Sequence, residues 1–183
     1  MHMLPRTLWH SLVVAKTKPA VNLSAVTRTT FRVWPTDVDI LLHMNNGKYL
    51  SVLDVARLEY TVRSGLWQKF KQHGIYTVVG AQTISYRKSL NPWRKFTVET
   101  RLIGMDQRAA YIEQRFVRRG EIYARAFIQG RFVKRSGGTA TMAELCEILG
   151  VDQAAFPLPA ELAAWAQAVK LPATRQAAPS IWE

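Results

Sequence analysis

A single cysteine, Cys146, in 183 residues excludes a disulfide framework and a cysteine-rich metal site, and fits a reducing, cytoplasmic setting. The four histidines, His2, His10, His43 and His73, are too scattered for metal-ligand spacing, so neither a metal nor a resident cofactor is expected. No apolar run reaches the roughly 18 residues needed to cross a bilayer, and no internal repeat is visible. Acidic residues are scarce: 13 Asp and Glu face 25 Lys and Arg, a net charge of +12 with a pI near 10.3. An excess of that size attracts polyanions such as nucleic acid, an anionic membrane face or a phosphorylated small ligand. No DNA- or RNA-binding motif accompanies it, so nucleic acid is not an expected partner. What the chain does have is 48% apolar residues, enough for one sizeable core and too many for general disorder.

The charge is unevenly placed. Residues 82–135 carry 13 basic against 4 acidic groups, whereas residues 136–183 carry 2 against 5. Period-two alternation over residues 27–34, stopped by Pro35, predicts a first strand. Helical spacing from Tyr49 to about Phe70 predicts a long helix, which Gly65 divides from a shorter one ending before Gly74. Four strand-like runs follow, about 75–89, 95–105, 108–119 and 121–135, separated by Asn91-Pro92, Asp106-Gln107 and Gly120 as in an antiparallel meander. One face of the last run reads Ile122, Ala124, Ala126, Ile128, Gly130, Phe132; its small residues leave room for the long helix. The expected fold is therefore α+β, a long central helix wrapped by a five-stranded antiparallel sheet. Residues 1–26 form an arm or amphipathic helix, 27–136 the main domain, and 137–183 a helical extension with a loose tail. In that extension, Thr141-x-x-Glu144 is a capping box, and Pro157 and Pro159 precede a second helix at about 160–170. The arm, apolar from Leu8 to Ala15, leaves open a peripheral membrane contact.

One segment concentrates groups able to do chemistry, Pro35 to Tyr49. It lies just before the long helix, whose first backbone N–H groups are unpaired and carry partial positive charge, so they can polarise a carbonyl. Asn45 or Asn46 suits the N-cap. Asp39 can attack such a carbonyl or activate a water to do so. Cys146, on the apolar side of a helix with no nearby histidine, is not an expected nucleophile.

The stretch Asp37-Val-Asp39-x-x-x-His43-Met-Asn45-Asn46-x-x-Tyr49-Leu50, followed by Asp54-x-Ala56-Arg57, resembles the signature of hot-dog-fold acyl-CoA thioesterases of the 4-hydroxybenzoyl-CoA thioesterase-like superfamily. Leu41-Leu42-His43-Met44-Asn45-Asn46 looks like the branch called thioesterase superfamily member six, and Ser85-Tyr86-Arg87-Lys88-Ser89-Leu90 resembles that family's second strand. The resemblance implies hydrolysis of an acyl-CoA, or acyl carrier protein, thioester, with coenzyme A entering only as part of the substrate. It places Asp39 as the catalytic carboxylate, His43 and Asn46 in the site, and the Asn46 N–H as the carbonyl polariser. Asn45, Tyr49, Arg87, Lys88, Arg118 and Arg119 are the expected substrate-binding residues. The chain departs from the pattern at Leu42, where many members have Gly, and at Asp54, where many have Glu; Asp54 is expected to pair with Arg57 one turn away. A single such sheet leaves edge strands and an incomplete site, so a homodimer or homotetramer is expected. The rivals are a non-catalytic acyl-CoA or acyl-carrier binding protein, a hot-dog hydratase or dehydratase, and an adaptor for a membrane surface or nucleic acid using charge alone. The hydratase is opposed by Asp39-Ile40-Leu41-Leu42 in place of Asp-x-Asn-Pro.

Overall fold

A computed structural model describes residues 15–173 and 175–181, together with residues 9, 10 and 13. Five strands form one sheet: β1 (Thr27–Arg32), β2 (Ile75–Tyr86), β3 (Lys95–Met105), β4 (Ala110–Arg118) and β5 (Glu121–Lys134). Their order is β1-β3-β4-β5-β2 with every neighbour antiparallel, so β1 and β2 are the edges. The long helix α1 (Asn46–Arg63) lies across one face, followed by α2 (Leu66–Gln72); Gly65, at φ 76°, makes the break between them. The strands and helices thus fall where the sequence periods place them.

The α1 contact follows from the strand alternation. Val52, Leu53 and Ala56 share one buried cluster with Val98, Phe116, Ala124, Ala126 and Ile128. Ala124 and Ala126 are fully buried within this cluster, while the backbone of α1 comes nearest to β3 and β1.

After the sheet come α3 (Met142–Leu149) and α4 (Ala160–Ala168). Thr141 and Glu144 close the capping box that starts α3, whose Met142, Leu145 and Cys146 join a second cluster with Tyr60, Phe70, Leu102 and Phe132. On the opposite sheet face, Ala166 and Trp165 of α4 cover Tyr111. The connecting segment is held tightly: the Met105 N–H donates to the Phe156 carbonyl at 2.9 Å, and a Cβ at Gly104 would stand 2.7 Å from the Leu158 backbone.

Of the expected arm, residues 1–26, the structure describes residues 9, 10, 13 and 15–26. Within it, His10 is buried with its ring 4.8 Å from that of Phe31, and its Nδ1 lies 3.4 Å from a Glu59 carboxylate oxygen.

Candidate active site

The loop between β1 and α1 is built around two carboxylates with opposite environments. Pro35 opens a 3₁₀ turn, Pro35–Asp37, that turns the Asp37 side chain inward. Asp37 is 3% exposed; its Oδ2 accepts the Trp34 N–H at 3.0 Å and its Oδ1 lies 3.7 Å from Lys48 Nζ. The Asp37 carbonyl accepts the Asn45 N–H at 2.9 Å, tying the turn to the helix start.

Between these anchors Val38 and Met44 form an antiparallel bridge, and residues 39–43 make its tip. The Asp39 N–H donates to the His43 carbonyl at 3.1 Å, the Leu42 N–H to the Asp39 carbonyl at 3.0 Å, and the Leu41 N–H to Asp39 Oδ1 at 2.9 Å. One Asp39 oxygen therefore caps the turn; the other has no partner among the described residues. His43 Nδ1 stands 3.7 Å from Asp39 Oδ1, too long for a hydrogen bond, and the side chains are 35% and 27% exposed, respectively. Leu42 adopts φ 58°, the left-handed region that favours glycine, which accounts for the glycine of the family pattern at this position. Ile40, Leu41 and Leu42 face solvent.

Asn45 is the N-cap, its Oδ1 accepting the Gly47 N–H at 3.0 Å, and Asn46 is the first residue of α1. Among the described residues no acceptor pairs with the Asn46 N–H. Asp39, His43 and Asn46 are thus brought together on one short loop and helix start. Tyr49 is not part of that surface. It is a core residue, 3% exposed, with its ring 5.0 Å from Tyr86 and 4.8 Å from Phe116; burial pushes its hydroxyl pKa up. Its position one turn into α1 places it on the face packed against the sheet.

The expected basic residues divide into two groups. Arg87 and Lys88 both face Glu121, and the Arg87 guanidinium also donates to the Ile122 carbonyl at 3.1 Å. Arg118 and Arg119 instead line a polar pocket of about 190 Å³ with Arg94, Ser89, Asn91 and Tyr123, and among the described residues no carboxylate lines it. Arg94 joins them from the Asn91-Pro92 turn, its N–H donating to the Asn91 carbonyl at 3.3 Å. The same segment supports the loop, since the Leu90 carbonyl accepts the Met44 N–H at 2.8 Å.

Asp54 pairs with Arg57, whose guanidinium also donates to Gln114 at 2.8 Å. Burial lowers the Arg57 pKa and Asp54 partly offsets this. This pair edges an apolar cavity of about 280 Å³ that lies toward the other end of α1 and is not lined by Asp39, His43 or Asn46.

A model of the family described as the thioesterase-like superfamily matches residues 33–166. The chain belongs to that superfamily. Among curated relatives, Protein THEM6 of Xenopus laevis is 42% identical over 99 residues, 54% of this chain and 48% of its own length. Protein THEM6 of Drosophila melanogaster is 32% identical over 139 residues, 74% of this chain and 69% of its own. The chain thus spans about half the length of the frog relative it matches. Among solved structures, the probable thioesterase YbaW of Escherichia coli superposes with a TM-score of 0.63 at 25% identity, covering 67% of this chain and 95% of that one. The fold of this superfamily member is the hot-dog, and the sheet order and central helix are the features it shares with such neighbours.

Proposed function

We propose that this protein is an acyl-CoA thioesterase that hydrolyses RCO–S–CoA with water to a carboxylic acid and free coenzyme A, acyl carrier protein being the other carrier to test. The observation that carries the reading is Asp39: of the two carboxylates in the loop it alone is solvent-accessible, with one oxygen unengaged among the described residues, next to a helix start whose first amide is unpaired. The Asn46 N–H, reinforced by the dipole of an 18-residue helix, polarises the thioester carbonyl and stabilises the developing oxyanion. Asp39 then either attacks the carbonyl carbon to form an anhydride, which water hydrolyses, or takes a proton from the attacking water; in both cases the thiolate leaves and is protonated. His43 lies beside Asp39 and assists in that proton transfer. Arg94, Arg118 and Arg119 bind the phosphates of coenzyme A, supported by their gathering in one pocket that no carboxylate lines among the described residues.

The working unit is a homodimer. Among the described residues the outer side of β2, a strand of 12 residues with Tyr76, Val78 and Val79 exposed, is an unpaired edge, a surface suited to antiparallel pairing with a second copy. The test is release of free thiol from a panel of aliphatic and aryl acyl-CoAs. Turnover of any of them supports the reading; tight binding without turnover supports instead the acyl-CoA binding protein that kept the fold.

A further inference from the structure

A polar pocket of about 520 Å³ lies on the sheet face opposite α1, between the β3–β4 turn, β5 and the end of α4. The charged residues lining it are Asp106, Arg108, Arg131 and Lys170. Asp106 is committed within the protein: Oδ1 accepts the N–H groups of Arg108 and Ala109, both at 2.7 Å, and Oδ2 accepts the Tyr111 hydroxyl at 2.6 Å. Arg108, Arg131 and Lys170 are exposed, and among the described residues none of the three pairs with a carboxylate. Beneath them the hydrogen bonding has a fixed direction. Tyr111 is fully buried; burial first, and the Asp106 hydrogen bond second, push its pKa up to about 12, so its one proton stays on the bond to Asp106. Its oxygen can then only accept, which turns the Gln129 amide nitrogen toward it at 2.9 Å. The Gln129 amide oxygen is left without a donor among the described residues, although Gln129 is only 7% exposed. A Cβ at Gly80, in the β2 bulge, would stand 3.0 Å from both that oxygen and Arg131 Nε, so the acceptor and the cation converge.

We propose that this pocket binds a hydroxyl-bearing phosphomonoester, its phosphate held by Arg108, Arg131 and Lys170 and its hydroxyl donating to Gln129. Three cations around one engaged carboxylate leave two positive charges, which a phosphomonoester of about −1.5 to −2 at neutral pH neutralises. Lys170 follows the C-terminal end of α4, whose carbonyls also favour a cation, so the two arginines supply most of the attraction. The volume falls within the roughly 300 to 1,000 Å³ of small-molecule pockets. The site is separate from the arginine pocket assigned to coenzyme A: Tyr111 and Arg118 sit toward opposite ends of β4, about 23 Å apart at roughly 3.3 Å per residue. It goes beyond the thioesterase reading and does not depend on it.

The experiment is calorimetric titration of the full chain with ribose 5-phosphate, beside ribose and inorganic phosphate as its two parts. Saturable binding of one ribose 5-phosphate per chain is expected, tighter than that of either part. Arg108→Gln and Arg131→Gln, at exposed positions that tolerate the change, should each weaken it about tenfold or more with unfolding temperatures matching the parent. The double substitution Arg118→Gln with Arg119→Gln, which strips two cations from the distant pocket, should leave it within about twofold. Gln129→Met, checked for unchanged unfolding temperature, should weaken ribose 5-phosphate and leave inorganic phosphate as it was. The inference is overturned by absence of saturable binding, by loss with the Arg118 and Arg119 substitutions in place of those at Arg108 and Arg131, or by equal loss with all of them, the signature of diffuse surface charge. Ribose 5-phosphate binding that Gln129→Met does not change removes the hydroxyl contact and with it the ligand class.

Discussion

Asp37 and Asp39 are the same residue type two positions apart, and their order alone does not say which is available for chemistry. The 3₁₀ turn decides it by burying Asp37 against Trp34 and Lys48 and leaving Asp39 at the loop tip. Asp37→Ala is therefore expected to act on stability, costing about 1–3 kcal/mol for the partners left unsatisfied, as read by urea unfolding. Leu42 shows the opposite case, a side chain whose removal relieves the backbone. It is 68% exposed and held at φ 58°, so Leu42→Gly, ordinarily destabilising, is expected to be neutral or stabilising by up to about 1 kcal/mol; a lowered unfolding temperature would show the turn is not strained. At this scale the motif was legible in Asp39, His43 and the two asparagines, because loop and cap chemistry is local. The packing of Tyr49 on Phe116 and Tyr86 was not, because both partners are far away in sequence.

At the level of elements, the strands and α1 were readable because period and breakers agree: Gly65 and Gly120 lie two residues beyond the ends of α1 and β4, and Asn91-Pro92 falls in the connection between β2 and β3, although β2 itself already ends at Tyr86. What periodicity did not reveal is Glu59, a fully buried carboxylate on α1 that gathers Lys18 at 2.7 Å, Arg63 at 3.3 Å and His10 at 3.4 Å and so fastens the N-terminal arm to the helix. Burial pushes its pKa up, but hydrogen bonds from His10 and Lys18 and the Lys18 charge outweigh that and hold it below the ordinary value. A depressed folded-state pKa contributes stability that is present above the unfolded value of about 4.3 and lost as pH falls through the folded one. Urea midpoints should therefore drop on acidification below about pH 4.3, and Glu59→Gln should be less stable at neutral pH with a shallower dependence on pH. Parallel pH profiles for the two proteins would assign the loss to other carboxylates.

For the molecule as a whole, the +12 charge first admits any polyanion, and the structure gives part of it a location in the pocket of Arg94, Arg118 and Arg119. The exposed β2 edge and the cavity below it were beyond the reach of sequence, because each depends on which surfaces the assembled sheet leaves uncovered. If two copies pair along β2, Val78→Lys places like charges across that seam, and the expected outcome is a monomer by sedimentation with turnover lost together with the dimer. A dimer that persists in this variant would put the seam elsewhere.

The most direct test of the account is acyl-CoA turnover by Asp39→Asn beside the parent protein, with dimer mass and unfolding temperature checked for both. The expected result is a loss of at least about 100-fold in kcat with fold and assembly unchanged. Turnover within a few fold of the parent would contradict the assignment of Asp39.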